Sequence, residues 1–212
     1  MTELITLPVK DFTAALASEE PVPGGGSASA AAGAAGAALL EMVLRLTLGK
    51  EKYQASWPDL EPLRKKVEPA QAKLLELVDE DTRAYDAIVA ARKLPKGTPE
   101  EKAERQKAID GATIVATAVP MQTAFFAHQA LLAAPAILEK GNPNTASDAF
   151  VASLLLSAAV DGALANVRIN LPGIKDPGIL EGYKDDAKSL QEKTAELTLK
   201  VREMARQKGL LS

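Results

Sequence analysis

Where the apolar positions of this 212-residue chain show a period, it is three or four, and nowhere do β-branched and aromatic residues alternate between turn signals. The pattern predicts helices and no strand. A short helix is expected from Pro8 to Ala17, with Phe12 and Leu16 four apart on one face. Pro21-Val22-Pro23-Gly24-Gly25-Gly26-Ser27 then reads as a shaped loop, and Ser27 as the N-cap of an alanine-rich helix that runs through Met42, Val43, Leu44 and Leu46 to a C-cap at Gly49. With alanines throughout and glycines at 33 and 36, that helix lets its neighbours approach closely, so it is expected to be the central pillar.

A long helix is expected from about Asp59 to Lys93, with Pro62 in its first turn and a kink at Pro69. Thr98-Pro99-Glu100-Glu101 is a capping box, which predicts a helix to about Val119, a bend at Pro120, and a resumed helix to Gly141-Asn142-Pro143. Ser147-Asp148 is expected to cap a further helix that Pro172-Gly173 ends. From Ile179 to Met204 the apolar positions Leu180, Tyr183, Ala187, Leu190, Leu197, Val201 and Met204 mark an amphipathic surface helix, with Glu196 and Lys200 ordered as an ion pair one turn apart. With no repeat and no long linker, the expected architecture is all-α, a single-domain multihelical bundle over residues 1–212 of about seven helices.

Three stretches, Ala28–Leu40, Gly111–Leu138 and Ala149–Val160, carry no Asp, Glu, Lys or Arg. The second exceeds the roughly 20 residues that span a bilayer. It also holds Pro120, Pro135, His128, Gln122, Gln129 and three threonines, with no flanking basic cluster, so buried helices are expected and no membrane span. One small domain has difficulty enclosing three such segments, which favours a homodimer with a shared core.

Composition narrows the chemistry. A formal charge of -3 and a pI near 5.4 give no basic excess for nucleic acid. Without cysteine and with His128 alone, disulfides, thiolate catalysis and an ordinary Cys/His zinc site are excluded, so no metal is expected. The N-terminal residues lack the basic start and apolar core of a signal peptide, and a cytoplasmic location is expected.

Asp81 is the sharpest chemical signal. On the long helix the apolar stripe is Leu74, Leu77, Val78, Tyr85 and Ile88, and Asp81 falls inside it, whereas Glu76, Asp79, Glu80, Arg83 and Asp86 fall on the opposite side. A carboxylate there must be paired, protonated or facing a polar cavity. Asp161 gives a weaker signal, read first as a buried partner of Arg168 or of a lysine elsewhere. Asn166 and Asn170, four apart, could offer amides to a ligand or to neighbouring backbone. His128 reads as structural. The glycine loop lacks the Lys-Ser/Thr of a P-loop, and Ser29 stands where a dinucleotide fingerprint needs its third glycine. What remains is a helix N-terminus whose N–H groups could hold a carboxylate or polar heterocycle, or a turn that permits close helix contact.

Taken in order, these motifs resemble the cyclodeaminase/cyclohydrolase family of folate one-carbon metabolism, which occurs as the C-terminal half of formiminotransferase-cyclodeaminase and as stand-alone methenyltetrahydrofolate cyclohydrolases. The matching elements are Pro23-Gly24-Gly25-Gly26-Ser27 with its Ala/Gly helix, Val78-Asp79-Glu80-Asp81 with Ala84-Tyr85, and Leu94-Pro95-Lys96 followed by Thr98-Pro99-Glu100-Glu101-Lys102. Val119-Pro120, Gly141-Asn142, Ser147-Asp148 and Asn166-Val167-Arg168-Ile169-Asn170-Leu171 follow, so the resemblance covers nearly the whole chain.

It implies an intertwined homodimer and a tetrahydrofolate derivative as substrate, polyglutamylated forms included, with no separate cofactor. The implied reaction closes 5-formiminotetrahydrofolate to the 5,10-methenyl form with loss of ammonia, or interconverts the methenyl and 10-formyl forms. Asp81 matches the family's catalytic aspartate. Gly24, Gly25, Gly26, Ser27, Lys93, Lys96, Asn166 and Asn170 match motif positions and are expected folate contacts, the lysines toward the substrate's carboxylates. A different class of function is a non-enzymatic helical dimer that binds folate or serves as a scaffold.

Overall fold

The computed structural model describes residues 3–212, of which none forms a strand. Seven α-helices follow one another: α1 Val9–Leu16, α2 Gly25–Arg45, α3 Trp57–Arg92, α4 Pro99–Leu131, α5 Ala134–Lys140, α6 Ala146–Asn170 and α7 Pro177–Gln207. Short 3-10 turns at Leu4–Thr6, Glu51–Ser56, Pro143–Thr145 and Leu171–Gly173 join some of them.

Helix α2 is the pillar, in contact with α3, α4, α5 and α6. Its small residues set how near those helices come. A β-carbon on Gly33 would stand 3.2 Å from both Ala159 and Leu74, and one on Gly36 would stand 2.8 Å from Leu156 Cγ and 2.9 Å from the Ala152 carbonyl. Larger residues at these two positions would drive α6 off α2, and the completely buried Leu40, Leu44, Leu74, Leu77, Leu156, Val160 and Leu164 would lose their packing. Each such side chain contributes roughly 1.5–3 kcal/mol by leaving water, so close approach is a leading source of stability here. Helix α7 lies outside on α4, α5 and α6, as its amphipathic pattern requires.

Several boundaries differ from the sequence reading. Gly24, not Ser27, is the N-cap of α2, and Ser27 is completely buried in the first turn. Gly49 has a left-handed φ of 82° but lies four residues beyond Arg45, the last residue of α2. Helix α4 runs unbroken through Pro120; the interruption falls at Leu132 and Ala133, just ahead of Pro135. Helix α3 likewise continues through Pro62 and Pro69. The capping box is present, with Thr98 Oγ1 accepting from the Glu101 N–H at 3.2 Å and Glu101 Oε2 accepting from the Thr98 N–H at 3.1 Å. Helix α6 begins at Ala146, so Ser147 and Asp148 lie inside its first turn. Glu196 and Lys200 do not come within ion-pair distance among the described residues.

Three segments, Gly25–Arg45, Pro99–Lys140 and Pro143–Gly173, are long and apolar enough to cross a bilayer by length and composition. About half of each apolar window, 56%, 56% and 50%, is buried within the fold, where α2, α4 and α6 pack against one another.

Candidate functional site

The first turn of α2, the middle of α3, Ala116 of α4 and the last turns of α6 converge on a cleft of about 340 Å³. Gly24, Gly25, Gly26, Asp81, Asn166 and Asn170 all line it. Residues drawn from sites more than fifty positions apart thus meet. Tyr85, Ile88 and Ile169 complete the wall, and Tyr85, read from the stripe as a core residue, is 37% exposed at the rim.

Asp81 is half-buried on the floor, and Ser27 holds it. The Ser27 N–H donates to Asp81 Oδ2 at 2.9 Å, and the Ser27 hydroxyl lies 3.2 Å from the same oxygen and 2.8 Å from the Val78 carbonyl. Asp81 Oδ1 has no hydrogen-bond partner among the described residues. The glycine at 26 is what makes room, because a β-carbon there would fall well inside 3.0 Å of all three carboxyl atoms. Burial pushes the Asp81 carboxyl up from its ordinary value, and the hydroxyl and N–H of Ser27 draw it partly back. Among the described residues no cation pairs with Asp81, so a structural ion pair within them does not account for its place in the stripe.

The two asparagines are fixed by their amide nitrogens. Asn166 Nδ2 donates to the Gly162 carbonyl at 2.8 Å within α6, and its amide stands over Gly25, 3.3 Å from where a β-carbon would be. Asn170 Nδ2 donates across to the Ala116 carbonyl of α4 at 2.8 Å. That carbonyl is free because residue 120, four positions on, is proline and has no N–H to give it. The proline is therefore absorbed without breaking α4, and the freed carbonyl ties α6 to α4 at the cleft. With both nitrogens engaged on backbone oxygens, the amide oxygens of Asn166 and Asn170 are left as acceptors.

Other expected residues lie elsewhere. Ser27 does not line the cleft; its burial makes it a support for Asp81 and corrects its reading as a substrate contact. Lys93 and Lys96 are exposed just beyond the end of α3, with Lys93 about 18 Å along the helix axis from Asp81. Asp161 is exposed and has no ion pair among the described residues, while Arg168 donates to Gln191 at 2.6 Å, which overturns the reading of Asp161 as a buried partner of Arg168. His128 is buried between α4 and α7, its Nδ1 2.8 Å from Thr194 Oγ1, and is not part of the cleft.

One carboxylate was misread. Asp79 is buried, although it falls opposite the stripe, because the chain before α1 folds over it: the N–H groups of Leu4 and Ile5 donate to its two oxygens at 2.6 and 3.4 Å. Its partners are some 75 residues away in sequence, so helical periodicity carries no sign of them.

Known proteins are similar to this chain in sequence and in fold. A methenyltetrahydrofolate cyclohydrolase from Methylorubrum extorquens is 37% identical over 195 residues, 89% of this chain and 94% of the relative. A formimidoyltransferase-cyclodeaminase from Rattus norvegicus is 34% identical over 187 residues, 88% of this chain but 35% of the relative, so the chain spans about a third of that longer protein. The crystal structure of formiminotetrahydrofolate cyclodeaminase from Thermotoga maritima superposes with a TM-score of 0.83 at 28% identity, over 95% of this chain and 97% of that one. The sequence pattern described as formiminotransferase-cyclodeaminase matches residues 8–189, which takes in every helix that builds the cleft. By that match, by its relatives and by its fold, the chain belongs to the formiminotransferase-cyclodeaminase family.

Proposed function

We propose that this protein is a folate one-carbon enzyme that works at the carbon bridging N5 and N10 of tetrahydrofolate, with Asp81 as its acid/base. The observation that carries the reading is the lone carboxylate on the cleft floor, with one oxygen held and the other free, beside two amide acceptors and the N-terminal turn of α2. A scaffold has no use for a carboxylate so placed.

In the hydrolytic direction, water adds to the bridging carbon of the methenyl cation, giving a tetrahedral carbon, and the bond from that carbon to N5 then breaks. Asp81 takes one proton from the water and returns it to N5; the second is released, leaving the 10-formyl form. Ionised Asp81 also offsets the positive charge of the methenyl ring. The amide oxygens of Asn166 and Asn170 suit the N–H donors of a pterin, and the exposed apolar Ile169 and Tyr85 suit its ring faces. Lys93 and Lys96 lie at a distance that suits carboxylates at the far end of an extended substrate. Hydrolysis is favoured by the cyclohydrolase relative of nearly equal length.

A second reading, closure of 5-formiminotetrahydrofolate with loss of ammonia, is favoured by the solved cyclodeaminase, also of nearly equal length. There N10 attacks the formimino carbon, and the departing nitrogen leaves as ammonia carrying its own proton, that of N10 and one from solvent. Purified protein offered each folate in turn, with methenyl absorbance and ammonia followed together, separates the two. Absence of turnover on both folates by protein that still binds them would leave the non-enzymatic reading.

We further propose a homodimer. Val115 on α4, Leu132 just after it and Val151 on α6 are apolar and about half exposed, and a second copy would cover them.

A further inference from the structure

The Ser27 hydroxyl has one proton and two acceptors within reach, the Val78 carbonyl at 2.8 Å and Asp81 Oδ2 at 3.2 Å. It cannot serve both at once. When Asp81 is ionised, rotation about the Cβ–Oγ bond lets the hydroxyl donate to Oδ2 alongside the fixed Ser27 N–H at 2.9 Å. When Oδ1 carries a proton, Oδ2 is a weaker acceptor, the hydroxyl turns to the Val78 carbonyl, and the Ser27 N–H alone holds Oδ2. Thr82 Oγ1, 3.4 Å from Ser27 Oγ, is the remaining hydroxyl nearby.

We infer that Ser27 is the positioning residue of Asp81: its N–H holds Oδ2 in both protonation states, its hydroxyl is a rotor that gives Oδ2 a second donor when Asp81 is ionised, and Oδ1 is thereby the edge that exchanges protons in the cleft. This rests on the reading of Asp81 as acid/base and deepens it.

Three features converge on this role. Ser27 is completely buried, so its hydroxyl is out of competition with bulk water. The backbone N–H beside it, in the first turn of α2, is rigidly placed by the helix. Gly26, immediately before, carries no side chain that would press on the carboxyl. The surroundings hold little else to perturb the proton: Tyr85 is the only other titratable side chain lining the cleft among the described residues, and the walls from α2, α4 and α6 contribute backbone, apolar groups and amides. Asp79, two residues away on α3, is turned to the opposite side and held by Leu4 and Ile5.

The test is Ser27→Ala, which keeps the N–H and removes only the rotor. Expected are a kcat lower by about tenfold or more with KM changed by less than about twofold, and an acid limb of the pH–rate profile moved to higher pH. A readout without folate is the 13C-carboxyl titration of Asp81, located by its loss in Asp81→Asn, which should move the same way. Ser27→Thr, which restores a hydroxyl, should bring kcat and the titration back toward the parent. If Ser27→Ala only lowers the melting temperature, with kcat per folded molecule and the Asp81 titration unmoved, Ser27 is packing and the inference is overturned while the functional reading stands. Normal turnover by Asp81→Asn would overturn both.

Discussion

Gly26 and Asp81 are matched across the α2–α3 contact: the carboxyl group occupies the space that a β-carbon on residue 26 would take. Gly26→Ala should therefore displace the carboxylate and lower kcat by about 10²-fold or more, with a lowered melting temperature and retained helicity. Steady-state kinetics and far-UV melting on one preparation check this. Wild-type turnover would mean that the carboxylate has no fixed position to lose.

Gly25 has the milder constraint, since its β-carbon would meet only the Asn166 amide at 3.3 Å, at the open side of the cleft. Gly25→Val should weaken folate binding by about tenfold or more while changing the melting temperature by a few degrees. Titration of a bound folate by fluorescence measures the first quantity, and calorimetry the second.

Asp81→Asn should lower turnover by about 10²-fold or more and leave stability equal or higher at neutral pH. The pH dependence has a definite sign. Because burial raises the folded carboxyl above 3.8, the protonated form is the better buried one; its contribution to stability is full below the unfolded value and is lost as pH rises through the folded one. The parent protein should thus lose stability relative to Asp81→Asn as pH rises across that window. Urea midpoints of the two proteins between about pH 3 and pH 8 test this, and parallel curves would contradict it.

His128 should act in the opposite sense. Burial, with Lys193 nearby, lowers its folded value below 6.5, so its stabilising contribution is full above 6.5 and is lost as pH falls through the folded value. His128→Gln should flatten the acid side of the stability curve below pH 6.5 and leave kcat within about twofold, because the residue lies outside the cleft.

Asn170→Ala should leave the Ala116 carbonyl without a partner and destabilise the fold by about 1–3 kcal/mol. Adding Pro120→Ala supplies the missing helical N–H, so the double variant should recover much of that loss. A double-mutant cycle on urea unfolding measures the coupling, which is expected to be clearly different from zero.

Much of this was legible because helices announce themselves locally. The capping box at Thr98, the amphipathic period of α7 and the small-residue surface of α2 each need only neighbours in sequence. Asp81 was legible for the same reason: it broke an apolar stripe defined by the local stretch from Leu74 to Ile88. What escaped reading was set by partners far along the chain. Asp79 looked solvated until Leu4 and Ile5 closed over it, and Pro120 looked like a bend until Asn170 was found on the carbonyl it frees. Ser27 has the residue type of a cap, yet its hydroxyl is spent on α3, and no local rule distinguishes those two uses.

The Pro120–Asn170 arrangement also constrains how the chain can drift over generations. A lineage that replaces Asn170 first strands the Ala116 carbonyl, whereas one that replaces Pro120 first gains a helical hydrogen bond and releases the asparagine nitrogen from that carbonyl. Change at the two positions is thus ordered, proline before asparagine. Two sites fifty residues apart are inherited as one unit, and shuffling segments between relatives at any junction from 121 to 170 would separate them.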